Sequence, residues 1–474
     1  MVENGTSELL LAPPTAPSVT RDLNPPHRAS FAVPVLAPKP RNPPPKPRPS
    51  GSKPPQANRS GSQQTRRGKN SSRKRGGQGR RDTAHQKAEV TDQSRLRDSW
   101  LSRCQAFFTT DYSILTKGCV SSTGWHGRMP ARRARAEIVK AYHSGAIFEE
   151  LSHFFPIYHS RDRPSILLGS DLRILLYQTA VVDWLEAEGP ALYDACQKLV
   201  ALSLANPKVQ KSYSAGERGQ HLACIIGHYR QYSKAPTLTL WHKQNQRRVD
   251  DFLKTPIVVR LNNFVSSVVK LMFPGVAERF LRSAEWHEAQ HGIKPLFGLF
   301  WNLCYNGMFA GQTRIHCSPH ADSKNIVGVC VLVIYQIPNK RFNHSRRSWL
   351  VLWDAGVAIQ MPPWTMVAFP SSLLYHFNID ISEFTFVTTE GNARPTPGNS
   401  VPIQEGDGDG RGSIVYFNQA SMYQSSETGC STLKEAEKKG IPCKANFPAS
   451  VEEALLQFGK YFSIDKAAAL NEEN

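Results

Sequence analysis

At Gly292 the hydrophobic pattern of this chain changes its period, and that change constrains the fold more than any other feature. Upstream, apolar residues recur at spacings of three and four in DLRILLYQTAVVDWLEAEG (171–189), ALYDACQKLVALSL (191–204) and VAERFLRSAEWHEAQHG (276–292). These read as amphipathic helices, the first closed by Gly189 and the last by Gly292. Downstream come short runs rich in Val, Ile and aromatics: KPLFGLFWNLCYNG, NIVGVCVLVIYQIP, SWLVLWDAG, VAIQMPP, TMVAFPSSLLYHFNIDI and GSIVYFNQA. Gly, Pro and Asn punctuate them, which predicts strands at the density of a small closed β-fold. From about 431 (STLKEAEKKG, then VEEALLQFGKYF) the texture is helical again. The expected class is α+β.

The first 95 residues obey neither period. They hold 18 Lys and Arg against six Asp and Glu, 15 of the 34 prolines, and one aromatic residue, Phe31. Such a stretch cannot bury enough apolar surface to offset the entropy of ordering, so a disordered basic arm is expected. Within it, LAPKPRNPPPKPRPSGSKPP (36–55) reads as an extended polyproline-like linker. The block RRGKNSSRKRGGQGRR (66–81) reads as a nuclear-import signal that also contacts phosphates, or else as a solubilising tail. The first reading is preferred and predicts a nuclear protein. Four segments follow: the arm (1–95), a helical layer (96–292), a β core (293–430) and a helical cap (431–474).

Nine cysteines without a CxxC pair fit reduced thiols inside a cell better than a disulfide framework. The N-terminus lacks a basic region ahead of its Leu-rich run, so no secretory signal is expected. No apolar stretch approaches the roughly 18 to 20 residues of a membrane span.

Inside the β segment lies His320-Ala321-Asp322, the one His-x-Asp of the chain, and His376 follows in the apolar run SLLYHFNI. Two imidazoles and a carboxylate on one side of a metal leave positions open for a bidentate cosubstrate and O₂, as a non-haem Fe(II) oxygenase requires. His and Asp at i and i+2 of a strand share a face. Arg411 opens the run RGSIVYF, where its forked guanidinium could clamp a carboxylate of 2-oxoglutarate. With 15 histidines, about one chance His-x-Asp is expected, so the triplet alone is weak. The order of the elements strengthens it: His-x-Asp, a distal His on a strand, then an Arg opening another.

The stretches HCSPHADSKNIVGVCVLVIYQIPNKRFNH, WLVLWDAGVAIQMPPW, FPSSLLYHFNIDI and GRGSIVYFNQASMY resemble the TET/JBP family of nucleic-acid dioxygenases, and look closest to its fungal, transposon-associated branch. The likeness covers about 290–425 well and the helical layer loosely. It implies a double-stranded β-helix (jelly-roll, cupin-like) core, with iron on His320, Asp322 and His376 and 2-oxoglutarate on Arg411. It also implies that Asn325, three residues after the aspartate, contacts a flipped base; an Asn capping a turn is the plain alternative. The 35 residues from His376 to Arg411 exceed the spacing of animal members, which makes Arg394 a rival for the cosubstrate.

His287-Glu288-Ala289-Gln290-His291 matches the HExxH signature of zinc peptidases. Glu285 just before it, Lys294 where a metzincin needs glycine, and its place on a last helical turn favour a solvated helix end instead.

The resemblance implies oxidation of the methyl group of 5-methylcytosine in double-stranded DNA to hydroxymethyl, then formyl and carboxyl products. N6-methyladenine demethylation by the same chemistry is the alternative, with a non-catalytic DNA-binding protein or a zinc peptidase behind it. Candidate phosphate contacts are the arm, RMPARRAR (128–135), and Arg247, Arg248 and Arg314; each alone reads as an ordinary surface charge, and only their sum supports DNA binding. The net charge of +19 supports a polyanionic partner. The oligomeric state is not legible.

Overall fold

The computed structural model describes residues 107–459 except 129–131, 215, 217, 231–232, 382–386, 390–392, 395, 397, 403–409, 442, 444–451 and 453. The arm of 1–95, with its linker and import readings, lies outside the described residues, as does the part of the expected cap beyond 459.

The described chain is mixed α+β. The larger sheet has nine strands in the order β1 (Phe107–Thr109), β3 (Ser165–Leu168), β4 (Ile174–Gln178), β11 (Met366–Phe369), β8 (Cys330–Gln336), β15 (Arg411–Phe417), β7 (Asn302–Gly307), β5 (Leu222–Tyr229) and β6 (Thr237–Leu238). A second sheet runs β12 (His376–Ile379), β9 (Trp349–Leu352), β10 (Val357–Ile359), β2 (Phe155–Ile157), and β13 (Val387–Thr389) pairs with β14 (Ser400–Pro402).

The described helices are α1 (Ile114–Lys117), α2 (Arg132–Ser144), α3 (Ile147–Leu151), α4 (Asp183–Ala187), α5 (Gly189–Leu204), α6 (Pro207–Tyr213), α7 (Leu240–Gln244), α8 (Gln246–Lys254), α9 (Pro256–Met272), α10 (Pro274–His291), α11 (Ala420–Thr428) and α12 (Leu433–Lys438). None is long and apolar enough to cross a membrane. Their ends follow local rules. Asn206 accepts from Lys208 N–H ahead of Pro207, prolines open α9 and α10, and Gly292 closes α10 at φ 64°. The α9 helix buries Leu261, Val265 and Val269 against the large sheet, where Tyr416 Oη donates to Asn262 Oδ1 at 3.0 Å.

The expected helix of 171–189 is a correction. Residues Ile174–Gln178 form β4, buried on both faces between β3 and β11, and only Asp183–Ala187 is helical. A short run that is apolar throughout satisfies three-and-four spacing by default, so periodicity cannot separate a buried strand from a helix there. Leu176 is fully enclosed, and its truncation to Ala is expected to cost about 2–5 kcal/mol. The 96–292 segment is thus not a separate helical layer: β3, β4 and β5 are built into the same sheet as β8 and β15.

Candidate metal centre

One extended segment, residues 314–320, joins the two sheets. At its start Arg314 bridges Arg411 in parallel and Ile315 N–H donates to Arg411 O at 2.8 Å. At its end His320 bridges His376, the first residue of β12, and Asn378 N–H donates to Cys317 O at 2.9 Å. The chain then leaves the strand. Asp322 sits not on a continued strand, as expected, but in a turn, where its N–H donates to Ser371 O at 3.0 Å and its carbonyl accepts from Asn325 N–H at 2.8 Å.

This route brings together three side chains distant in sequence. One ligand atom from each of His320, Asp322 and His376 lies within 4.8 Å of the others, and no second such group occurs among the described residues. The histidine rings are oriented alike: Nδ1 of His320 lies 2.7 Å from Ser318 O, and Nδ1 of His376 lies 2.8 Å from Leu374 O. A carbonyl can only accept, so each Nδ1 carries the hydrogen and each Nε2 keeps its lone pair. Phe369 packs edge-on against His376 with centroids 5.1 Å apart.

Burial, and after it the neighbouring His376, push the His320 imidazole down to about 3, and burial lowers His376 as well. Both are neutral at neutral pH. Burial alone would raise the Asp322 carboxyl, but the Arg218 guanidinium, the two imidazoles and Ser371 hold it below the usual carboxylate range. Two neutral imidazoles and a carboxylate form a donor set suited to a divalent transition metal.

Arg218 is the residue the sequence did not announce. It lies in the turn between α6 and β5, its carbonyl accepts from Ser318 N–H at 3.1 Å, and its Nη1 meets Asp322 Oδ1 at 2.9 Å. Nothing in GERGQ marks it, because the ion pair spans about a hundred residues.

Arg411 opens β15 as expected and is 1% exposed; Nη1 donates to Ile315 O at 3.1 Å, while Nε has no hydrogen-bond partner among the described residues. The same holds for Nδ1 of His221 and of His316, and the charge of Arg411 helps hold both imidazoles down to about 4, after burial. Ser413, two residues on, accepts from Asn306 Nδ2 at 2.9 Å. An orphaned Nε–H on a buried guanidinium, beside two unpartnered imidazole nitrogens, suits a small anion with several oxygens, such as a dicarboxylate. Burial draws the Arg411 guanidinium down to about 10, so it stays charged. The sequence signal for His316 is its place four residues before His320, an even spacing in the same extended segment. Arg394 lies exposed between β13 and β14.

Of the other expected residues, Asn325 adjoins the cluster through its bond to Asp322 O and Arg314 adjoins Arg411. Asn325 is half-buried and bridges Gln419 through its backbone. Arg314 is ion-paired with Asp380, and Arg248 donates to Asn245 Oδ1 at 2.8 Å. Arg247 is exposed, and residues 129–131 of the basic stretch lie outside the described residues. The HExxH reading as a solvated helix end is corrected in part. His287 is wholly buried, with Nε2 2.9 Å from Met422 O, while Glu288 faces solvent and pairs with Lys294.

No family model and no curated protein matches this sequence. Among solved structures the chain is similar to NgTET1 in complex with 5mC DNA, with a TM-score of 0.35 and 10% identity over 61% of this chain and 91% of that one. A likeness that slight fixes neither fold nor chemistry.

Proposed function

We propose that this chain is an Fe(II)- and 2-oxoglutarate-dependent dioxygenase that oxidises the methyl group of 5-methylcytosine in double-stranded DNA. The observation that carries the reading is the convergence of His320, Asp322 and His376 on one point. Bound there, Fe(II) with 2-oxoglutarate and O₂ would supply an oxidant able to take hydrogen from a methyl group, with succinate and CO₂ leaving.

The chain's own contributions follow from the geometry. His320 and His376 present lone pairs, Asp322 presents charge, and the carbonyls of Ser318 and Leu374 fix the ring orientations. Arg411 holds the far carboxylate of the cosubstrate, with His221, His316 and Ser413 lining that end. Asn325 accepts from the exocyclic amine of the extruded base. In this reading the two sheets are the walls of a double-stranded β-helix joined by residues 314–320. The arm of 1–95 adds nuclear import and nonspecific phosphate contacts, so its deletion weakens binding without abolishing turnover.

The full chain incubated with Fe(II), 2-oxoglutarate, O₂ and separately methylated duplexes, followed by mass spectrometry of the nucleosides, tests this. Hydroxymethylcytosine that disappears when 2-oxoglutarate is omitted is the expected product. Loss of methyl from N6-methyladenine with formaldehyde release would move the substrate to adenine. No change in any methylated base would overturn the reading.

A further inference from the structure

A second group of buried polar side chains lies at the far end of β15 from Arg411. Trp301, the residue before β7, donates its backbone N–H to Asn418 Oδ1 at 2.7 Å, and its carbonyl accepts from His228 N–H at 3.1 Å. The last turn of α10 brings His287 and His291 to the same place. The ring of His287 stands 5.1 Å from that of Trp301 and 5.5 Å from that of His291, and the His228 ring is 5.8 Å from Trp301. Arg230, two residues past His228, lies within electrostatic reach of His287 and His291.

Five nitrogens of this group are buried without a hydrogen-bond partner: Arg230 Nε, Trp301 Nε1, His228 Nδ1, His287 Nδ1 and His291 Nε2. Leaving a buried polar atom unpaired is costly, and five in one place call for an occupant. Burial lowers all three imidazoles, His228 and His287 to about 4, so they are neutral at neutral pH and Arg230 carries the charge of the cluster. Arg230 is 7% exposed; Nη1 donates to Ser421 O at 2.9 Å and Nη2 to Ser431 O, and among the described residues no carboxylate pairs with it.

The hydrogens decide what the occupant must be. A guanidinium N–H and an indole N–H can only donate. His287 gives its Nε2 hydrogen to Met422 O, so its Nδ1 can only accept. The occupant therefore accepts from Arg230 and Trp301 and donates to His287. Water can do both but leaves the buried guanidinium uncompensated. A metal ion is opposed by the charge of Arg230, and the three histidines do not gather ligand atoms within 4.8 Å as the iron candidate does. We propose that this cluster binds one monoprotonated oxyanion of the phosphate class, whose oxygens accept from Arg230 Nε–H and Trp301 Nε1–H and whose hydroxyl donates to His287 Nδ1. His291, half-buried at the end of α10, marks the approach. The site is independent of the dioxygenase reading.

The test is calorimetric titration of the full chain with inorganic phosphate and, separately, with sulfate, at one pH near neutral and constant ionic strength. One phosphate per chain is expected. Sulfate, which has no hydrogen to give His287, is expected to bind on the order of tenfold more weakly. Arg230→Gln is expected to weaken phosphate by at least about tenfold, and Trp301→Phe, which keeps a ring and loses the donor, by about two- to tenfold. No phosphate uptake by the parent overturns the proposal, and so does sulfate bound as tightly as phosphate. Uptake that both variants retain at the parent affinity, with melting temperatures near the parent value, belongs to the basic arm and also overturns it. Should Arg230→Gln fail to fold, Trp301→Phe and the sulfate comparison decide.

Discussion

His320 and His376 exchange both backbone hydrogen bonds, at 3.0 and 2.7 Å, so that two residues 56 positions apart hold their ring centroids 4.4 Å from each other. The spacing is set by the main chain, before any ion is considered. A centre built this way is preorganised: the strands fix the separation and the carbonyls of Ser318 and Leu374 fix the tilt.

Arg218 places a positive charge on the carboxylate that would hold the metal. Because its side chain is 60% exposed, the pair is screened and contributes only about 0.2–1 kcal/mol. Arg218→Ala is therefore expected to tighten divalent-metal binding by about 1.4- to fivefold at neutral pH. Calorimetric titration with Fe(II) under anaerobic conditions reads this directly, and weaker binding would count against it.

Arg411 and Arg394 make opposite predictions. Replacing buried Arg411 with Lys removes the fork and the orphaned Nε, and the KM for 2-oxoglutarate is expected to rise more than about tenfold. Arg394→Ala, at an exposed loop position, leaves it unchanged. Succinate formation at varied 2-oxoglutarate distinguishes the two arginines.

His287 belongs to the fold. With the ring fully buried and Nε2 on Met422 O, His287→Ala is expected to cost about 2–4 kcal/mol and leave the metal content unaltered. Urea denaturation and elemental analysis check both halves; loss of a bound zinc ion would revive the peptidase reading.

Burial holds His221, His228 and His287 down to about 4, against about 6.5 when unfolded. Between those values the unfolded chain binds protons that the native one does not, so stability rises with pH and falls as pH drops from about 6.5 toward 4. Each histidine contributes up to roughly 1.4 kcal/mol per pH unit in that window. The melting temperature is expected to be flat above pH 7 and to fall steeply below 6; a constant value to pH 5 would refute this.

Local signals were read where the chemistry is local. Gly292 as a helix stop, the short strands after it and Arg411 opening β15 needed neighbouring residues alone. The geometry of the candidate centre was partly legible, because His-x-Asp and a distal His on a strand are visible as spacing. What stayed hidden depends on pairing across the fold. β4 looked helical until β3 and β11 enclosed it, and Arg218 reaches Asp322 only because the turn before β5 meets the 314–320 segment. His287 looked solvent-facing until α11 covered it.

The account stands on His320, Asp322 and His376 sharing one ion, and metal stoichiometry measures that without any assumption about substrate. The parent chain is expected to bind one Fe(II) per molecule, and a His320→Ala/His376→Ala variant of similar melting temperature none at micromolar metal. A folded variant that still binds one equivalent of Fe(II) would contradict it.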